Sequence, residues 1–194
     1  MLYLLSDYSE ASKILLSSSE KEYTSFLEIV LKNSFCRNIE NTSVKFISEA
    51  TNTKREKATK WIRQIYDDIF LLNEEQPNLF KTEGMKCGLY FSHYDMYCYF
   101  YRWLNFTPRL FEHISWNFIR GKMSHGEFWV KRIDYDLNEA EPMAQIYLDG
   151  AVLNLYEVLL KDRALFERVI DYTDEIHKGK FEVEKILMDH YKNR

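Results

Sequence analysis

Val44-Lys-Phe-Ile-Ser-Glu-Ala-Thr-Asn-Thr-Lys-Arg-Glu-Lys-Ala-Thr-Lys-Trp-Ile-Arg63 reads as two amphipathic helices joined by a short polar turn. The first covers Val44 to Ala50. The second starts at Lys54 and buries Ala58, Trp61, Ile62 and Ile65, spaced i, i+3, i+4 and i+7, so the pattern continues to about Ile69. Its opposite face holds Glu56, Lys60 and Arg63, flanked by Lys57 and Thr59, with Lys54 and Arg55 in the first turn. Five cations against the single acid Glu56 make this stretch strongly basic inside a chain whose net charge is −4. An acidic protein does not coat nucleic acid with its whole surface, but charge this concentrated suits a local contact.

On the N-terminal side, Ser19 to Lys32 has the spacing of a third helix. Tyr23, Phe26, Leu27, Val30 and Leu31 recur at three and four residues, and Ser19 with Glu22 matches a capping box. On the C-terminal side, Ile69 to Leu72 either extends the second helix or begins a strand, before Asn73 to Pro77 breaks the pattern.

The segment from Val44 to Arg63 resembles the helix-turn-helix superfamily over about twenty residues. The small residue of the family's first helix falls on Ser48 and its turn glycine on Asn52, which tolerates the left-handed conformation. The buried small residue of its second helix falls on Ala58, and the bulky anchor on Trp61. The resemblance implies that Lys54, Arg55, Glu56, Lys57, Thr59, Lys60 and Arg63 form a nucleic-acid-binding face: Arg for bidentate guanine contacts, Lys and Thr for phosphates, Glu56 as an acceptor from cytosine. A solvated surface helix, or one that docks protein, is the competing reading of the same charges. In a winged helix-turn-helix a β-hairpin would come next; the segments at hand are Asn78 to Lys81 and Cys87 to Phe91, around Glu83-Gly84.

Twelve of the thirty-one residues from Leu89 to Ile119 are Phe, Tyr or Trp, so this block dominates whatever core the second half builds. Two helices are expected in it: one capped by Ser92 and Asp95, the other opened by Thr107 and Pro108 and closed by Gly121. Alternating Tyr97, Tyr99, Tyr101 and Trp103 keep a strand open as the rival for Met96 to Trp103. Core packing is the main reading of these rings; base stacking beside Arg102 and Arg109 is the other. Phe128 to Leu137 and Met143 to Leu153 suggest a β-hairpin across residues 138–142, on which Lys131 and Arg132 are two cations among Asp134, Asp136, Glu139 and Glu141. Helices follow, one capped by Asn154 and Glu157, the last after Gly179.

The expected fold is therefore α+β, mainly α: an N-terminal three-helix helix-turn-helix unit, then an aromatic-rich helical region, a β-hairpin and C-terminal helices. The expected domains are 1–82, helix-turn-helix with or without a wing, and 83–194, aromatic-rich α+β. No phosphate loop, GxSxG, HExxH or local Cys/His pairing is present. His93 near Asp95, His125 near Glu127 and His113 beside Glu112 match no ligand spacing. No metal, cofactor or catalytic residue is expected, and the chain is taken to be non-catalytic. Three cysteines, Cys36, Cys87 and Cys98, form no CxxC pair, and Met1 to Leu5 is too short an apolar run for a signal peptide or a span. A reducing cytoplasm and no membrane are the expectation.

Two functions fit. One is a sequence-specific regulator that reads duplex DNA with the helix at 54–66, while the C-terminal region supplies homo-oligomer or partner contacts. The other is an assembly or interaction protein, of viral or mobile-element origin, that docks a protein with the same helices.

Overall fold

The structure is a computed structural model that describes residues 9–17, 21–32, 43–137, 142–178 and 180–192. The chain forms two compact units, Met1–Ala151 and Val152–Arg194.

In the first unit, helices α1 (Ser9–Ser17), α2 (Thr24–Lys32), α3 (Val44–Ala50) and α4 (Arg55–Glu75) come before the sheet. Helix α3 starts where Ser43 accepts the Phe46 N–H at 3.2 Å, an N-cap bond. It ends in a turn whose Asn52 has φ +49°, the left-handed region that Asn tolerates. Helix α4 runs past Ile69 because Ile69, Leu72 and Asn73 prolong the buried stripe of Ala58, Trp61 and Ile65. Pro77 then opens a 3-10 turn, Pro77–Phe80. Helix α2 begins at Thr24, later than the Ser19 start expected; Ser19 lies outside the described residues.

The aromatic block corrects the expected fold. Neither of its two helices forms; the chain instead builds strands β1 (Met85–His93), β2 (Met96–Leu104) and β3 (His113–Ser115), and the molecule has a five-stranded mixed sheet where one hairpin was expected. Ser92 and Asp95, which match a capping box in spacing, lie near the end of β1 and in the two-residue hairpin turn Tyr94-Asp95, where Tyr94 takes φ +51°. The period-two alternative was the physical one. Leu89 pairs with Phe100 and Phe91 with Cys98 on the inner face, while Tyr90 pairs with Tyr99 on the outer. The Thr107–Pro108 segment fails as a helix because its backbone bonds to another strand: Phe111 N–H donates to the Val130 carbonyl at 2.8 Å, and Val130 N–H to the Glu112 carbonyl at 2.9 Å. A 3-10 turn, Asn117–Ile119, and the short α5 (Arg120–Met123) lead on to β4 (Glu127–Asp136) and β5 (Met143–Asp149).

The hairpin expected from 128–137 and 143–153 is β4 and β5, which pair antiparallel; β5 stops at Asp149. β5 also runs parallel beside β1, giving the order β2-β1-β5-β4-β3. No wing turns at Glu83-Gly84. Gly84, at φ +117°, is the entry to β1, and a Cβ there would lie 2.2 Å from the Leu104 carbonyl oxygen.

Helices and sheet share one core. Tyr66 and Phe70 of α4 meet Phe118 at 5.0 and 5.3 Å, and Phe70 and Phe80 meet Phe100 at 5.3 and 5.7 Å. The boundary expected at 82/83 thus lies inside the first compact unit. The second unit contains α6 (Leu155–Phe166), α7 (Tyr172–His177) and α8 (Lys180–Tyr191) around Ala164, Ile170, Val183 and Leu187. Asn154 caps α6 through the Glu157 N–H, as its spacing suggested. Among the described residues, no helix is long and apolar enough to cross a membrane.

Candidate nucleic-acid interface

The basic stretch takes its orientation from what α4 buries. Ala58 and Ile65 are fully covered, and the Trp61 ring sits 5.4 Å from that of Phe26 on α2. Those contacts turn Lys54, Arg55, Glu56, Lys57, Lys60 and Arg63 outward, and all six are exposed. Among the described residues, no ion pair engages any of the five cations. Lys57 is partly committed: its ammonium lies 4.5 Å over the Trp61 ring, a cation–π contact that holds its stem along the helix. Thr59 differs from the expected phosphate donor. It is half-buried and its hydroxyl donates to the Arg55 carbonyl at 2.8 Å.

The charge on α4 is polarised along its length. Further down, Asp67 pairs with Lys122, while Asp68 pairs with Lys21 at 3.0 Å and accepts the Tyr23 hydroxyl. Those acids are matched by cations from other elements, so the first turns remain net positive. No side chain caps the helix at Lys54, so the amide groups of its first turn add the positive end of the helix dipole to the same region. The first helix of the pair accommodates Ser48 in place of an apolar small residue: it is buried, and its hydroxyl is satisfied by the Lys45 carbonyl at 2.7 Å. Exposed cations around an uncapped helix end can bind phosphates, and Arg63, without an ion pair among the described residues, can offer its fork to a planar acceptor.

The remaining candidates fall elsewhere. His93 and His125 stack at 4.7 Å and 11° over Gly150, with His93 Nδ1 buried and unpartnered. His113 is exposed on β3, and among the described residues no group of three His, Cys, Asp or Glu could hold a metal. Arg102 packs over Trp116 at 4.8 Å. Arg109 is exposed on the loop before β3. Cys36 lies outside the described residues.

What the sequence reading missed is on the outer face of the sheet. Phe91, Phe100, Trp103, Trp116 and Phe118 are buried as expected of core rings, but Tyr101, Tyr99, Tyr90 and Tyr147 form a half-buried row across three strands. Arg132 ends that row, 3.9 Å over the Tyr147 ring. The alternation of Tyr97, Tyr99 and Tyr101 was the signal that could have found it. Comparison with protein families, with curated proteins and with solved structures finds no match to this chain.

Proposed function

We propose that the protein is a non-catalytic, sequence-specific binder of duplex DNA, a regulator acting in the cytoplasm, and that it reads the duplex with the first turns of α4. The observation that carries the reading is the exposed row of Lys54, Arg55, Lys60 and Arg63, without an ion pair among the described residues, on a helix anchored from behind by Trp61. Counterion release by such a row gives binding that weakens with salt, with a log–log slope of about −0.9 per phosphate met. The local resemblance to the helix-turn-helix superfamily, and the left-handed Asn52 between the two helices, support the same reading.

Fluorescence anisotropy of a labelled random duplex, measured across salt concentrations, tests it. Replacing Lys60 and Arg63 with Ala should lower the slope by about 0.9 for each side chain that meets a phosphate. A parent that does not bind, or a double variant that binds like the parent, overturns it.

A second reading, docking of a protein partner, is supported by the second compact unit, where Leu155, Tyr156, Leu159 and Phe166 of α6 are all at least half exposed. Oligomer or partner contacts through this unit are compatible with DNA binding by the first.

A further inference from the structure

We propose that the outer face of the sheet holds a second binding site, distinct from α4, that takes a nucleobase carrying a phosphate. A groove of about 510 Å³ opens there, lined by Tyr90, Ser92, Tyr97, Tyr99, Lys131, Arg132 and Tyr147 among others. That volume is in the range of small-molecule sites.

The register builds the groove. In the row Tyr99–Tyr90–Tyr147, neighbouring rings lie 4.4 and 4.8 Å apart, the second pair stacked within 10°. The next row on this face is Tyr97–Ser92–Asp149, and Ser92 is the gap in it. Its hydroxyl lies down on the sheet, donating to the Leu148 carbonyl at 3.1 Å. Tyr99 leans the other way, toward Gly88, where a Cβ would come within 2.5 Å of its hydroxyl oxygen. A slot is left over Ser92 with Tyr97, 75 % exposed, on one side and the tyrosine row on the other. A flat, polarisable ring fits such a slot.

The cations come from a β-bulge. The pairing of β4 with β5 shifts between Val130 and Arg132, leaving Lys131 as the extra residue, and a bulge re-aims side chains in this way. Lys131 and Arg132, consecutive in sequence, both line the groove, although strict alternation would send one of them to the core. Among the described residues Lys131 has no ion pair. Arg132 shares an exposed pair with Asp134 at 2.9 Å, a weak tie that a phosphate can displace. Neither Asp134 nor Asp149, the acid in the row of Ser92, lines the groove, and the Asp149 carboxylate accepts the Ala151 N–H at 2.8 Å. Aromatic faces beside two cations and no lining acid match a base with its phosphate, whereas a ring without an anionic group leaves the charge of Lys131 unmatched. The base–phosphate unit can come from a free nucleotide or from a single strand.

Equilibrium binding of thymidine monophosphate, of a labelled dT12 oligomer and of an abasic oligomer of the same length tests the site. The expected result is binding of a base-bearing probe that Tyr97→Ala weakens at least about fivefold, the loss of one base stack. Lys131→Gln should lower the salt slope while circular dichroism stays unchanged, since that side chain is exposed. Comparable affinity for the monophosphate and dT12 identifies a free nucleotide as occupant; preference for dT12 identifies a single strand, and either upholds the site. Absence of binding, equal binding of the abasic oligomer, or no effect of Tyr97→Ala overturns it. The variant with Lys60 and Arg63 replaced by Ala should keep this binding, so the failure of either site is seen separately.

Discussion

Asn73 of α4 is bonded twice to Tyr101: its Nδ2 donates to the Tyr101 carbonyl at 2.9 Å and its Oδ1 accepts the Tyr101 N–H at 2.7 Å. The side chain does for β2, an edge strand, what a neighbouring strand would do, and it is itself buried, at 1 % exposure. Asn73→Ala should cost about 1 to 3 kcal/mol, the penalty of leaving buried backbone groups unpaired. Urea unfolding followed by tyrosine and tryptophan fluorescence measures it. A midpoint unchanged from the parent would show that solvent replaces both bonds.

Trp61 anchors α4 through Phe26 and is nearly buried, at 9 % exposure. Trp61→Ala should lower stability by about 3 to 5 kcal/mol, the range for emptying an aromatic core site. The exposed substitutions Lys60→Ala and Arg63→Ala should stay within about 0.5 kcal/mol of the parent. Similar losses for all three would mean that the helix does not present these faces.

Burial pushes the Cys87 thiol up to about 11 and the Cys98 thiol up to about 12, in the second case against the opposing charge of Lys122. Both thiols are therefore protonated at pH 8 and poor nucleophiles. Alkylation by iodoacetamide should label them slowly in the folded protein and at ordinary rates in denaturant, as mass spectrometry can count. A disulfide between them is excluded by register: Cys87 faces Arg102 while Cys98 faces Phe91, which places the two Cα atoms on the order of 13 Å apart. Fast labelling of either thiol at pH 8 without denaturant contradicts this packing.

Tyr23 and Tyr66 are both held well above the ordinary tyrosine range, first by burial; for Tyr23 the hydroxyl donated to Asp68 adds to the effect. In the unfolded chain these phenols release their protons near pH 10, so between there and their folded values the unfolded state binds fewer protons. Their stabilising contribution is complete below pH 10 and is lost as the pH rises through the folded values. Thermal melts should show stability falling above about pH 10, and Tyr23→Phe should flatten that fall. A profile as steep in Tyr23→Phe as in the parent rules out this phenol as a source.

Helix-period segments were legible in the sequence where one face is buried and the other wet. Val44–Ala50 matched to the residue, and α4 was placed within one residue at its start, because Ala58, Trp61 and Ile65 leave a single stripe. The aromatic block hides its strands for a physical reason. Its rings are needed on both faces of a sheet, Phe91 and Phe100 inside and Tyr90 and Tyr99 outside, so no polar alternation marked the strands. Ser92 and Asp95 then supplied a helix signal that a two-residue hairpin turn also satisfies. The parallel pairing of β1 with β5 joins residues more than fifty positions apart, which no local pattern records. At the basic site, exposure of the cations followed from helix geometry, whereas the internal bond of Thr59 and the stacking of Lys57 depend on rotamers that sequence spacing does not specify.

Helix α4 spans 21 residues, roughly 30 Å, with no proline or glycine to bend it. Its solvent-facing cations sit near one end and Asn73, tied to the sheet, near the other. Trp61 clamps the rod at its basic end and Asn73 ties the other end to β2, so no soft joint lies between Lys60 or Arg63 and the sheet edge. The bearing of the tyrosine row is therefore fixed relative to those cations, as two marks on one ruler.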